Sequence, residues 1–414
     1  MALTDVNETE IGNSVGVSYL MEKRQLRSLA IKTTLLTLLT FGIYRFWART
    51  RLRNYFWSCV APDGHPFEYD GKGLEKFLGF LIAVAVLAVY LGILQLLLTF
   101  AGMSLFTAVD DTADELQQLA VTYIAFGALL PLIFYAQYRA RRYKLSRTRW
   151  RGIRFGMDKG AWGYALRGIG FTIVTILTVG ILWPLQTFRL EKYKADRTWY
   201  GDVKFEQNGK WTMLYPAMKH ILLGLLIVIA GGVFAAGGEW ARVSDDSFTG
   251  GSGTGFGAFV VFVGAFWIYA GFAYYRVHSF RKLTAHKTLG ETVTFTSMPR
   301  TRSLIGIFIG GGFVAGIVAA VLGFAIGGVL TYLVVKMLGI QELAIFTSGI
   351  GFLIYFLALS VLSLLMITEP MIRHFAHNTT IQNAAALVQV KQRDGDDFAE
   401  AEGFADALDL GAGF

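Results

Sequence analysis

The sequence predicts an all-α polytopic membrane protein: about six full transmembrane helices plus two re-entrant or in-plane segments, duplicated in tandem and carrying small cytoplasmic β-hairpins. Three observations carry this expectation. Hydrophobic residues make up 54% of the 414 positions and charged ones 16%, against roughly a quarter charged in a soluble domain, and the mean hydropathy is +0.47. Eight apolar runs approach the length of about 20 residues that a helix needs to cross a bilayer. The connections between those runs alternate between acidic and strongly basic.

The runs occupy 28–47, 77–106, 119–138, 168–185, 221–240, 256–275, 303–335 and 343–367. The seventh is longer than a bilayer core requires, so it must tilt, break at its glycines or begin as an interfacial helix. Glycine at 47 positions and phenylalanine at 33, against seven prolines, match packed membrane helices, where small residues let backbones approach, and exclude low-complexity disorder. Cys59 has no second cysteine to bond and reads as a small buried apolar residue. Residues 1–17 are polar and acidic, without the basic flank and apolar core of a cleavable signal peptide.

Basic loops beside membrane segments stay in the cytoplasm. Residues 107–117 hold Asp110, Asp111, Asp114 and Glu115 and no base, and residues 239–251 hold three acids against Arg242; both read as external. Residues 139–167 hold ten Lys or Arg and one acid, 189–219 hold seven against four, and 276–302 hold six against one; all read as internal. One apolar run, 168–185, separates the first two basic regions, so that run cannot cross fully.

The first and fourth runs share a pattern at an offset of 138 residues: Thr37, Thr40, Gly42 and Ile43 align with Thr175, Thr178, Gly180 and Ile181. Both are short, threonine-rich and interrupted by glycine. They read as re-entrant segments, tolerated where protein or water satisfies the irregular backbone. Six full spans then remain, with both termini inside; the alternative is that the first run crosses from an external N-terminus. The offset continues through Tyr55 with Tyr193 and Phe67 with Phe205. A tyrosine or leucine precedes a phenylalanine by twelve residues at Tyr55–Phe67, Tyr143–Phe155, Tyr193–Phe205 and Leu283–Phe295, with Gly64, Gly152, Gly201 and Gly290 between. These read as short alternating strands entered through glycine turns. The expected organisation is a polar segment (1–27), two membrane repeats (28–160 and 161–298), a shorter third unit (299–383) and an acidic disordered tail (384–414).

The stretch from Leu35 through Thr37, Thr40, Gly42, Tyr44, Trp47 and Arg49 to Tyr55 and Phe56, followed by Asp63-Gly-His-Pro-Phe-Glu-Tyr-Asp-Gly, resembles the signature of the YjgN family of bacterial inner-membrane proteins (domain of unknown function 898). The similarity runs over about 26–383. It implies placement in a bacterial inner membrane and brings no catalytic residues. Phe46 stands where a proline is expected, and no strand-like glycine–phenylalanine ending follows Asn378, so a final hairpin is not expected.

Polar groups inside apolar runs are functional candidates because they are costly there. These are Lys32, Gln95 and Arg167; Lys32 and Arg167 can equally snorkel to the interface. Gly42 and Gly180 would give the re-entrant segments their turns. Gly257, Gly264 and Gly271, with Gly306, Gly310, Gly312, Gly316, Gly323 and Gly327, form small-residue stripes for packing within the monomer or for a homo-oligomer face, and place runs six and seven in the crowded centre. Arg139, Arg141, Arg142, Lys144, Arg147, Arg149, Arg151 and Arg154 form a basic cluster suited to anionic lipid headgroups; topology already accounts for these bases, so nucleic acid is not expected. The histidines lack metal-ligand spacing, and no metal, cofactor or enzymatic constellation is expected. Two functions follow: a transporter or channel with a path between duplicated halves, or a non-catalytic scaffold binding anionic lipids or partner proteins.

Overall fold

Helices and strands alternate along the chain so that every strand comes to one end of the helices. The computed structural model describes residues 14–104, 112–244, 251–337, 339 and 341–393. Strand β1 (Ser14–Tyr19) leads into α1 (Lys23–Leu39), which turns back as α2 (Arg45–Cys59) into β2 (Val60–Pro62) and β3 (Phe67–Tyr69). Helices α3 (Gly73–Phe100) and α4 (Thr112–Ser146) leave and return to β4 (Thr148–Trp150) and β5 (Ile153–Met157). A second short pair, α5 (Ala161–Leu177) and α6 (Trp183–Ala195), ends in β6 (Thr198–Tyr200) and β7 (Val203–Gln207). Helices α7 (Tyr215–Ser244) and α8 (Gly251–Ala285) end in β8 (Lys287–Leu289) and β9 (Val293–Ser297). Finally α9 (Thr301–Met337), α10 (Ala344–Ser363) and α11 (Glu369–His377) end in β10 (Thr379–Gln382), followed by a 3₁₀ turn, Ala384–Gln389.

The strands form one ten-stranded sheet in the order β2-β1-β10-β9-β8-β7-β6-β5-β4-β3, with antiparallel pairing throughout. Its two end strands, β2 and β3, are consecutive in the chain, so the sheet is a nearly closed ring of two-stranded units. The four phenylalanines of the twelve-residue motif fall on β3, β5, β7 and β9 and pack against Trp150, Tyr200, Leu289, Val293 and Ile381. Arg151 and Gly152, at φ of 50° and 75°, form the two-residue hairpin loop whose twist matches the flanking strands.

Several expectations change here. The all-α description gives way to a helical protein with a β-ring, and the separate hairpins are joined because each short strand pairs with the next unit as well as its own. A final strand does exist: β10 pairs with β9 through Thr379↔Ser297 and with β1 through Ser14↔Gln382. The polar N-terminal segment supplies β1. Of the tail expected to be disordered, Leu387 and Val390 belong to the ring's core; its acidic part beyond 393 lies outside the described residues, as does the acidic connection 107–111.

Among the described residues, six helical stretches are long and apolar enough to cross a membrane: Gly73–Phe100, Glu115–Ser146, Trp211–Gly237, Gly255–Ala285, Thr301–Met337 and Gln341–His377. The seventh run neither breaks nor splits; α9 is one helix of 37 residues. Helices α1 and α5 are each 17 residues long, and each pair α1–α2 and α5–α6 starts and ends at the ring. In α8, Cβ atoms on Gly257, Gly264 and Gly271 would lie 2.5 to 2.9 Å from atoms of α7, and on Gly323 and Gly327 of α9 they would lie 2.7 Å from Gly351 of α10. Those five pack within helical hairpins. Gly306, Gly310 and Gly316 would meet nothing within 4 Å, and Gly312 only Ile367 at 3.7 Å. Runs six and seven are not in a crowded centre: Phe259, Phe262, Phe266, Phe308, Phe313 and Phe324 all face outward.

Candidate functional site

The short helical hairpins turn by the same local chemistry. Phe41 and Gly42 have φ of 49° and 88°, and Val179 and Gly180 have 51° and 83°. Two successive left-handed residues reverse the chain, and the second falls on glycine because it carries no Cβ penalty. The hydroxyl of Thr40 accepts from the Tyr44 N–H at 2.9 Å, and that of Thr178 from the Leu182 N–H at 3.3 Å. Gly42 N–H donates to Thr37 O and Gly180 N–H to Thr175 O, both at 2.7 Å. The threonines of the duplicated pattern thus satisfy backbone groups at tips whose surface is Leu39, Phe41 and Ile43 in one copy and Leu177, Val179 and Ile181 in the other, all exposed.

Of the intramembrane polar candidates, Gln95 donates to Thr99 Oγ1 at 3.2 Å and Ser104 Oγ at 3.1 Å, at the end of α3 far from the ring. Arg167 is exposed, donates to Gly163 O at 2.9 Å and lies 4.8 Å from the centre of the Tyr193 ring. Lys32 is exposed on α1. The three are not brought together.

Most of the basic cluster faces protein. Arg142 is buried and donates to Met157 O at 3.1 Å. Arg147 pairs with Glu75 at 3.2 Å, Arg149 with Asp70 at 2.9 Å, and Arg151 with Asp63; Arg154 gives its backbone N–H to Gln392. Arg139 lies 5.9 Å from the centre of the Tyr135 ring, and Lys144 is half-buried.

Arg141 leads to a centre that sequence reasoning missed. Glu191 of α6 receives Lys194 and Lys287 at 3.0 Å and Arg141 at 3.4 Å, so it ties α4, α6 and β8 together. Burial pushes its carboxyl up, but Lys194, Arg141 and Lys287 outweigh that and hold it well below the usual carboxylate range. Burial lowers the Lys287 ammonium below its ordinary value, and Glu191 offsets this in part. A signal was present: two residues before the motif's first position the other units carry Arg53, Arg141 and Arg281, and only this one carries an acid.

An open-sided apolar groove of about 310 Å³ lies between α1 and the α9–α10 hairpin, lined by Ile31, Thr34 and Leu35 and by residues including Leu322, Ile354 and Val361.

Long apolar helices rooted in one β-ring define a polytopic membrane protein. The chain belongs to the family described as bacterial protein of unknown function (DUF898), whose model matches residues 16–315. Inner membrane protein YjgN of Salmonella typhimurium is 25% identical over 133 residues, which cover 31% of this chain and 29% of that relative. The match therefore spans less than a third of the relative's length. No solved structure matches the chain.

Proposed function

We propose that this protein is a non-catalytic scaffold of the bacterial inner membrane, in which the β-ring lies at the cytoplasmic face and holds the long membrane helices in lipid. One observation carries the reading. In the most apolar windows of the six long helices only 6% to 22% of residues are buried, while the helix ends and the ring hold most of the core. Close helix contact is concentrated within the pairs α7–α8 and α9–α10. A chain built this way presents most of its membrane surface to lipid or to further copies, and encloses little.

The positive-inside rule supports the orientation, since the bases cluster on the helix ends that enter the ring. The two helical hairpins then dip from the cytoplasmic side, with apolar tips and internally satisfied backbones, as hydrocarbon demands. Their matching turns support a tandem duplication. Anionic lipid headgroups are the ligands that suit the exposed bases at these helix ends.

Transport is the second reading, favoured by those paired hairpins, which recur at substrate paths in duplicated transporters. Reconstitution into sealed vesicles distinguishes the two. The scaffold reading expects no flux of ions or small solutes above empty vesicles; flux that is weakened by Lys32→Gln or Arg167→Gln would replace it with the transport reading.

A further inference from the structure

The groove beside α1 continues into charge. At 3.6 residues per turn, the residues of α1 that line it, Ile31, Thr34 and Leu35, share one helix face with Arg24 and Arg27, one to two turns nearer the ring. Both arginines are exposed, and neither has a hydrogen bond or ion pair with another described residue. In contrast, Arg141, Arg147, Arg149 and Arg151 are each spent on a carboxylate. Glu22, exposed at the start of α1, forms no ion pair with another described residue, and Glu369 of α11 is 5% exposed and faces Arg373 at 3.5 Å, with Lys23 also close enough to act on it.

An open-sided apolar groove between membrane helices, and two exposed cations in line with it toward the ring, match the two halves of one molecule. We infer that the α1 groove is a binding site for an acidic phospholipid, with an acyl chain against Ile31, Leu35 and Leu322 and the headgroup phosphate on Arg24 and Arg27. Lys32 lies roughly 110° around the helix from the groove face and takes no part. The inference rests on the scaffold reading only in taking the bilayer as the source of the ligand.

The test uses the full chain in nanodiscs of phosphatidylcholine containing a trace of spin-labelled phosphatidylglycerol or spin-labelled phosphatidylcholine, with the immobilised fraction of each read by electron spin resonance. Wild type should prefer the acidic lipid, and 1 M salt should erase the preference, because screening there extends to about 3 Å. Arg24→Gln with Arg27→Gln should lower the preference by about thirtyfold. Arg24→Lys with Arg27→Lys should retain most of it, and Lys32→Gln all of it. Ala358→Trp, which fills the groove, should release both lipids. Equal immobilisation of the two lipids by wild type, or a loss with Lys32→Gln as large as with the double variant, overturns the site. If the glutamine variant fails to fold, the lysine variant and the salt dependence still decide. Solute flux in sealed vesicles would remove the scaffold reading and leave this lipid preference untouched.

Discussion

Glu191 is where a single side chain matters most. Three cations share one carboxylate, so removing its charge strands them near each other in a partly buried place. Glu191→Gln is expected to destabilise the protein by about 3 kcal/mol at neutral pH, read as a lower midpoint in denaturant melts of the micelle-bound protein. The pH dependence has a definite sign. A carboxyl whose folded pKa is depressed contributes stability above its unfolded value, and that contribution fades as pH falls through the folded one. The gap between wild type and Glu191→Gln should therefore narrow below pH 4.5, the group's ordinary value. Equal midpoints at pH 7 would show that the cluster carries no stability. Two of the three cations on Glu191 come from α4 and β8, 50 and 96 residues away, and no local pattern in the chain announces such a meeting. The twelve-residue motif does mark the position, as the one acid among arginines.

At the scale of elements, the sequence was most informative where one local rule decides the outcome. The turn of α1–α2 and that of α5–α6 follow from two threonines and two successive left-handed residues, the second a glycine, all within eight positions, and the duplicated pattern exposed them. Gly180→Ala should cost about 1 kcal/mol through its positive φ alone, since a Cβ there meets nothing within 4 Å. Packing was less legible. Nine glycines stand at spacings of seven or four residues, yet five closely oppose a neighbouring helix, Gly312 meets only Ile367, and three meet nothing, because spacing fixes a face and not its partner. Gly323→Val should split α9 from α10, where a Cβ already lies 2.7 Å from Gly351 O, and should lower the yield of folded protein sharply. Gly316→Val points into open space and should be neutral within about 0.5 kcal/mol. Size-exclusion profiles and thermal melts of the two variants compare them directly; a Gly316→Val variant as damaged as Gly323→Val would mean that the stripe packs against another copy.

The ring as a whole could not be read from the chain. Strands of three to six residues give almost no periodic signal, and the ring closes through pairs such as Ser14↔Gln382, which join opposite ends of the sequence. The same geometry makes the C-terminal segment part of the ring. Leu387 and Val390 sit in its core with Trp150, Tyr200, Leu289 and Val293. Around them the Asp202 N–H donates to Lys391 O and the Lys391 N–H to Asp202 Oδ1, both at 3.0 Å, while Asn383 donates to Thr292 O at 2.8 Å. Gly201 lies so close to Lys391 O that a side chain there has no room. Two truncations separate this plug from the acidic residues that follow it. Ending the chain after 393 removes none of these contacts and should leave the melting midpoint unchanged. Ending it after 383 uncovers the apolar ring and removes two buried side chains worth roughly 1.5 to 3 kcal/mol each, so the midpoint should fall and binding of an apolar dye should rise. Val390→Asp in the full chain should reproduce much of that fall by burying an unpaired charge. Should the chain ending at 383 melt with the full-length protein, the ring would be stable on its strands alone and the plug would be no part of its core.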